Sequence, residues 1–548
     1  MRSKEGRRMA RVVVALAICV CGASTLTGCP YSDPCWEVEA CEPDPVPPPG
    51  PCEGQPGTAP ALDECGVFVS PLSGDDRSPG TKDAPVKTLQ HAIGLAAGGR
   101  GNGEAPTRRV YACGGVFEEA ITLPSGVDLW GGRRCDGGGE WSYEGSFGGP
   151  DHPTIIAPPV GIPLRVLGGD DAFITGDDAT SMIFGVRAAA ADGSASDGKS
   201  SIAMILSPGA RATVRESAIL AGDGKEGEPG EDAPSSRATD GTVGNDGADA
   251  CTADAARGAL PVVTVCGEGI ESTGGYGGDG GIERGRGGTL GRPELVGDPG
   301  EQGLGGSGAV TMPCWDGENG PNGAPAERAA GAVGPGRLGI DGWLGVRGED
   351  GKRGGAGQGG GGGGGGKGRD PTRNACPAGR PQGGAAGGSG GSGGCGGKGG
   401  QGGDYGGASI AIVALQGSEL TVESGEIRGA KGGDGGVGGT GQWGGIGWDG
   451  GLGGHGAATD SSRGCRGGFG GDGGRGGDAG GGLGGHSFGI ASMGAAVAIL
   501  PHATVVPGQA GEGGPGANAT AESGLGQGED GTALFWYRFD APAPETPR

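Results

Sequence analysis

The chain has 548 residues, of which 142 are Gly, and 65 acids against 41 Lys and Arg give it a formal charge of −24. Apolar residues at 34 % and aromatics at 4 %, with strong helix formers sparse outside short windows, exclude a helix bundle. An acidic surface repels phosphate backbones and excludes nucleic acid as the expected partner.

Arg2, Lys4, Arg7, Arg8 and Arg11 open the chain, and the apolar run 12–20 follows. That run is too short to span a bilayer, which takes about 20 residues. Residues 1–28 therefore read as an export signal. The signal ends Leu26-Thr27-Gly28-Cys29, which resembles the bacterial lipobox. The resemblance implies that Cys29 becomes the first mature residue and carries lipid, palmitate included. Pro30 follows where Asp would hold such a protein at the inner membrane, so the outer membrane or cell surface is the implied location. Removing residues 1–28 takes away five bases and one acid and leaves −28. An acyl anchor needs no electrostatic attraction to lipid.

Of the 15 Cys, two leave with the signal and Cys29 takes the lipid. Twelve remain, an even number, as in an oxidising compartment. One pair is expected, Cys113 with Cys135, because these flank neighbouring predicted strands; the rest stay unassigned. No metal centre is expected, since no C-x-x-C occurs and His91, His152, His455, His486 and His502 are scattered. No cofactor is implied.

Residues 29–64 read as a tether, with ten Pro in 30–60; at about 3.1 Å per residue it would reach up to ~90 Å. Within 65–221 the first strand is 67–70. Asp83 is expected to cap a helix with Pro85 in its first turn. Val86, Leu89, Ile93 and Ala96 would share a face of it, with Ala92 beside them. Strands at 109–112, 120–123 and 127–130 follow between Gly, Pro and Ser corners.

The segments VFVSPLSGDDRSPGTKDAPVKTLQHAIGLA and VYACGGVFEEAITLPSGVDLWGG resemble the opening of right-handed parallel β-helix proteins of the pectin-lyase-like type. The resemblance covers about residues 66–132. It implies an all-β fold in which a strand and a short helix cap a solenoid, and it says nothing of activity.

An internal repeat supports stacked coils independently. Residues 201–219 align without a gap on 409–427, with Thr213-Val214 on Thr421-Val422 and Ile219 on Ile427; 487–505 is a weaker third copy. Residues 532–539 add a last, aromatic strand. The chain then divides into coils at 65–221, 409–429 and 487–548, separated by Gly-rich excursions at 222–408 and 430–486. A further excursion at 508–531 lies inside the last part. All leave from one corner.

Gly recurs every third residue through 429–456, and again through 387–402 and 464–476. That period fits neither helix nor strand and fits the polyproline-II type, with three residues per turn. Three readings compete: a polyglycine-II bundle, a flexible disordered linker, and a collagen-like trimer, which the lack of Pro in 401–500 disfavours. Cys395 and Cys465 lie inside triplet runs, where disulfides would stitch a bundle.

Chemical motifs are weak. Gly193, Gly198, Lys199 and Ser200 match GxxxxGK[ST], but β-like sequence follows where that loop needs a helix. GGxGxD occurs at 274–279, 399–404 and 467–472 and resembles calcium-binding nonapeptides, yet Gly281, Gly406 and Gly474 stand where those need an apolar residue. The pairs Asp75 and Asp76, Asp170 and Asp171, Asp177 and Asp178 fit turns; a lyase of this fold would use such carboxylates for Ca²⁺. No catalytic residue is assigned. The expected role is structural, adhesive or surface-binding in the cell envelope, with a lipid-anchored membrane and a polysaccharide or surface protein as partners, rather than enzymatic. The alternative is a polysaccharide lyase or glycoside hydrolase. Ice or surface binding is a third reading, since flat Gly-rich bundles occur in an insect antifreeze protein.

Overall fold

Short runs of Val, Ile and Leu between Gly, Ser and Pro corners favour strands over helices. In the computed structural model these strands lie in three parallel stacks. The model describes residues 50–99, 106–135, 140–146, 149–150, 152–168, 179–294, 302–371, 373–519 and 524–540.

The first stack holds Val67–Val69, Arg109–Cys113, Asp128–Arg134, Ser181–Phe184 and Arg211–Arg215, then the first halves of Glu419–Arg428 and Ala496–Val506. The second holds Gly115–Phe117, Thr154–Ile156, Val186–Ala189 and Ser217–Leu220, then the second halves of those two long strands. The third runs Ile121–Pro124, Leu164–Leu167, Ser201–Leu206, Ser409–Ala414, Ser487–Met493 and Ala533–Phe539. From Arg109 on, the chain visits the stacks in the order first, second, third, and begins again.

The gap-free repeat is the register itself. Ser201 pairs Ser409, Thr213 pairs Thr421 and Ile219 pairs Ile427. Between the second and third copies the register slips near Ser424, which is why that copy aligns less well. Inward side chains of the three stacks form one core, including Leu123, Ile183, Met204, Ile412, Val422 and Ile490.

The helix Leu89–Gly98 covers the first rung with buried Leu89, Ala92, Ile93 and Ala96. Its cap is Thr88, not Asp83. Val86 bridges to Val69 and holds the chain extended past Pro85. The first helical N–H groups then go to Glu119, whose carboxylate accepts from Leu89 and Gln90.

The folded body begins before the expected residue 65, because from Pro51 the chain belongs to one compact unit. Cys52 bonds Cys65, Ala59 and Ala61 are buried against Phe68 and Tyr111, and the Pro56 carbonyl accepts from Arg133.

All the large excursions lie between the second and third stacks, at 221–408, 429–486 and 507–532. Their glycine segments run side by side, joined by backbone hydrogen bonds at every third residue. Gly224, Gly227 and Gly230 donate to Lys431, Asp434 and Val437; Gly433, Gly436 and Gly439 donate to Gly407, Asp404 and Gln401. A segment of this kind makes no bonds within itself, so its amides and carbonyls must be satisfied by neighbours.

Residues 359–366 are eight consecutive glycines, all buried. Gly360, Gly361 and Gly362 donate to Gly391, Glu318 and Thr289, and their carbonyls accept from Gly275, Gly468 and Gly306. Three donor and three acceptor directions give this segment six neighbours. A Cβ on Gly360, Gly361 or Gly362 would stand 2.2, 1.9 or 1.8 Å from the carbonyl oxygen of Gly468, Leu304 or Tyr276. No side chain fits on any of the three faces.

Candidate functional site

The outer segments of the bundle follow a different rule. In 430–456 most triplets turn two glycines to neighbours, Gln442 and Trp448 being the exceptions: a Cβ on Gly432 would meet Gly485 O at 2.2 Å, and one on Gly433 would meet Lys225 O at 1.9 Å. The third position is free to carry a side chain. It is filled by Asp434, Val437, Thr440, Trp443, Ile446, Asp449, Leu452 and His455, about 9 Å apart along the segment. Trp443 and Leu452 are each 59 % exposed, and Val437 and Ile446 are also open to solvent.

Each third-position amide points outward, where no further segment can accept it. At several of these positions a short side chain on an adjacent segment accepts it instead. Asp232 takes Thr440 N at 2.7 Å, Asp240 takes Ile446 N at 2.7 Å and Asp246 takes Leu452 N at 2.7 Å. Asp316, Asn319 and Asn322 do the same for Arg466, Phe469 and Asp472. Asp and Asn carry an acceptor on a short stem that reaches such an amide, so part of the acidity read from composition consists of latches. Phe469 extends the exposed apolar row onto 464–486. Arg475 and Arg466 lie over Trp443 and Phe469 at 5.2 and 4.8 Å.

Asp478 is the most enclosed latch. Burial would raise its pKa, but donation from Gly441 N, Arg475 and Asn518 holds it below the usual carboxylate range.

A second feature lies where the first stack turns into the second. A groove of about 970 Å³ is lined by Gln55, Thr58, Tyr143, Phe184, Arg215, Glu216, Glu423, Ser424 and His502 among others. Arg215 pairs with Glu423, and Tyr143 donates to Glu216 Oε2 at 2.6 Å. Glu216 has φ of 46°, at a corner where Gly185 stands one rung earlier with φ of 65°. A non-Gly residue at positive φ costs about 1–2 kcal/mol, and such residues gather at functional sites.

The sequence candidates fall as follows. Cys29 and residues 1–28 lie outside the described residues, as do Asp170, Asp171, Asp177 and Asp178. Cys113 and Cys135 are bonded, with Cα atoms 5.8 Å apart. Their bond borders a hollow of about 530 Å³ that also meets Arg133, Arg134 and His152. Cys266 bonds Cys395 and Cys314 bonds Cys465, which ties the triplet runs; Cys251 bonds Cys376. Asp76 accepts from Lys87 N and Thr88 N at the helix start, and Asp75 takes Arg77 N.

In the GxxxxGK[ST] loop the Lys199 and Ser200 amides go to Asp197, and the Lys199 ammonium goes to Asp404. The aspartates of the three GGxGxD stretches are also engaged. Asp279 takes Gly258 N, Asp472 takes Gly447 N, and Asp404 holds Lys199. Among the described residues no cluster of three or more His, Cys, Asp or Glu is placed to hold a metal ion. No described helix is long and apolar enough to cross a membrane.

The latches were missed at the sequence level. The signal that would have found them is Asp or Asn recurring at the triplet spacing in 223–250 and 316–322. Comparison with protein families, with curated proteins and with solved structures finds no match.

Proposed function

We propose that this chain is an exported, lipid-anchored envelope protein with a structural and adhesive role. A parallel β-helix would serve as its spine, and a polyglycine-II bundle held out from one corner would present a flat contact face. The observation that carries this reading is the latched row on 430–456 and 464–486. Its side chains are evenly spaced, and Val437, Trp443, Ile446, Leu452 and Phe469 stay exposed. Single apolar residues on a surface mean little, whereas a contiguous set rimmed by polar groups marks a contact surface. Five disulfides support an oxidising compartment, and the Leu26–Cys29 stretch supports the anchor.

The test is co-sedimentation of the purified protein with intact bacterial cells and with insoluble polysaccharides. A variant with Trp443, Ile446 and Leu452 all changed to Ser should fold normally, because those positions have room, and should lose binding. Undiminished binding would overturn the reading. The anchor is tested separately: globomycin should block processing, and Cys29→Ser should release the protein from membranes.

The groove at Glu216 favours a second reading, a glycan lyase or hydrolase. Its carboxylates, Arg215 and His502 supply acid, base and electrostatic groups, and the left-handed Glu216 is the specific observation behind it. Depolymerisation of a glycan that disappears in Glu216→Gln would favour this reading over the adhesive one.

A further inference from the structure

The two ends of the stacks differ. At the first rung the helix Leu89–Gly98 closes the core, and Val67, Val69, Val86 and Leu89 are fully buried. At the last rung nothing among the described residues lies beyond the strands. Ala496–Val506 pairs only with Glu419–Arg428, and Ala533–Phe539 only with Ser487–Met493.

The inward positions record this. Leu420, Val422, Ile427 and Ile490 are 0–1 % exposed. Their register partners one rung on are Val497, Ile499, Val505 and Trp536, which pack on the core but are only partly buried. The core therefore stops at an apolar end bordered by two strands that, among the described residues, each have a ladder partner on one side.

We propose that this end is a tail-to-tail interface between two copies of the chain. Three observations select a second copy as the occupant. First, the two edge strands contain no Asp, Glu or Lys, and His502 and Arg538 are their only basic residues. In a chain of −24, this end meets itself without like-charge repulsion. Natural edge strands are usually guarded by charge; here Arg538, whose guanidinium lies 3.9 Å from the Trp536 ring centre, is the single full charge on the pair.

Second, the helix over the first rung blocks head-to-tail stacking, so only an isologous, two-fold arrangement buries the open core. The edges then run antiparallel. Pro501, at the middle of the eleven-residue strand, is tolerated where paired residues exchange no hydrogen bond. Third, the terminal stretches outside the described residues are poor strand formers. Residues 541–548 contain Pro542, Pro544 and Pro547, and residues 29–49 contain seven Pro; proline lacks the N–H that a ladder needs.

The interface is tested on the full chain carrying Cys29→Ser, so that no acyl chain contributes to association. Light scattering after size exclusion should give twice the monomer mass, falling to the monomer on dilution, with a melting temperature that rises with concentration. Val497→Lys and Val505→Lys should each weaken dimerisation at least about tenfold, the cost of burying one ammonium at the interface. Single Cys substitutions at the exposed positions Ala498, His502 and Thr504, which leave folding undisturbed, should yield cross-linked dimers. Gln90→Cys at the capped end should not.

A monomer at every concentration would overturn the proposal. So would lysine variants of unchanged mass, or cross-linking through Gln90→Cys. The proposal is independent of the adhesive reading: the Trp443, Ile446 and Leu452 triple variant should still dimerise.

Discussion

Ser409 donates its hydroxyl to the carbonyl of Gly222 at 2.7 Å and accepts the amide of Ala430 at 2.8 Å. It thereby ties the place where one excursion leaves the stacks to the place where the next one leaves. The arrangement repeats. Ser487 donates to Ala430 O and accepts from Gly508 N, and Ser201 donates to Ala191 O and accepts from Gly222 N. All three serines are fully buried and each begins a strand of the third stack. This hydroxyl ladder fixes the exit points to one line.

Ser409→Ala should therefore cost about 1–2 kcal/mol, because it leaves one partly buried carbonyl and one partly buried amide without their side-chain partner. Ser409→Thr should cost less if its hydroxyl keeps both bonds. Denaturant titration followed by far-ultraviolet circular dichroism measures both; an alanine variant as stable as wild type would show the ladder to be incidental.

Central and outer positions of the bundle should differ sharply in their tolerance of substitution. Gly362→Ala places a methyl 1.8 Å from Tyr276 O, and the carbonyl cannot yield without shifting its whole segment. At least about 3 kcal/mol of destabilisation is expected. Trimming the exposed Val437 to Ala should change stability by less than about 0.5 kcal/mol. Thermal melts of the two variants beside wild type make the comparison.

The latches should release in acid. Donation from Thr440 N and Oγ1 holds the Asp232 carboxyl below its ordinary pKa, outweighing slight burial. A depressed carboxylate stabilises the fold above its unfolded pKa, and that contribution is lost as pH falls through the folded value, below about 4. The protection factor of the Thr440 amide should fall between pH 5 and 3, on the order of that range. In Asp232→Asn, which keeps an acceptor that does not titrate, it should stay level. Amide exchange read by NMR decides this.

Asp128 should show the reverse trend. Burial pushes its pKa up to about 6, against the lowering effects of Met182 N and Arg109. The folded state holds the proton more tightly than the unfolded chain. The stabilisation is complete below about pH 4 and is lost as pH rises through 6. Relative to Asp128→Asn, which does not titrate, the wild type should lose about 1–2 kcal/mol over that interval, part of the full effect because the side chain is 24 % exposed. Urea titrations of both proteins at pH 4, 5, 6 and 7 would reveal it, and parallel curves would refute it.

Much of the spine was legible before any coordinates. Alternating apolar runs gave the strands near 67, 109, 121 and 128, and the repeat gave the pairing of Ser201 with Ser409, because stacked strands need the same residue types at the same height. The start of the helix was misread. Thr88, Asp76 and Glu119 cap it jointly, and two of those lie far away in sequence. The triplet period also announced segments with three residues per turn, while the eight glycines at 359–366 gave no hint of their place until six neighbours surrounded them.

The sequence by itself determined local periodicity: where the backbone alternates, where it turns every third residue, and where a corner must be. That information lies within a few residues of each position. Only the tertiary structure decided which segments touch, and so which glycines are central, which aspartates are latches, and how Cys266, Cys314, Cys395 and Cys465 pair. Those choices depend on carbonyls and amides more than a hundred residues away. A chain without internal hydrogen bonds leaves them to whichever neighbour satisfies its backbone.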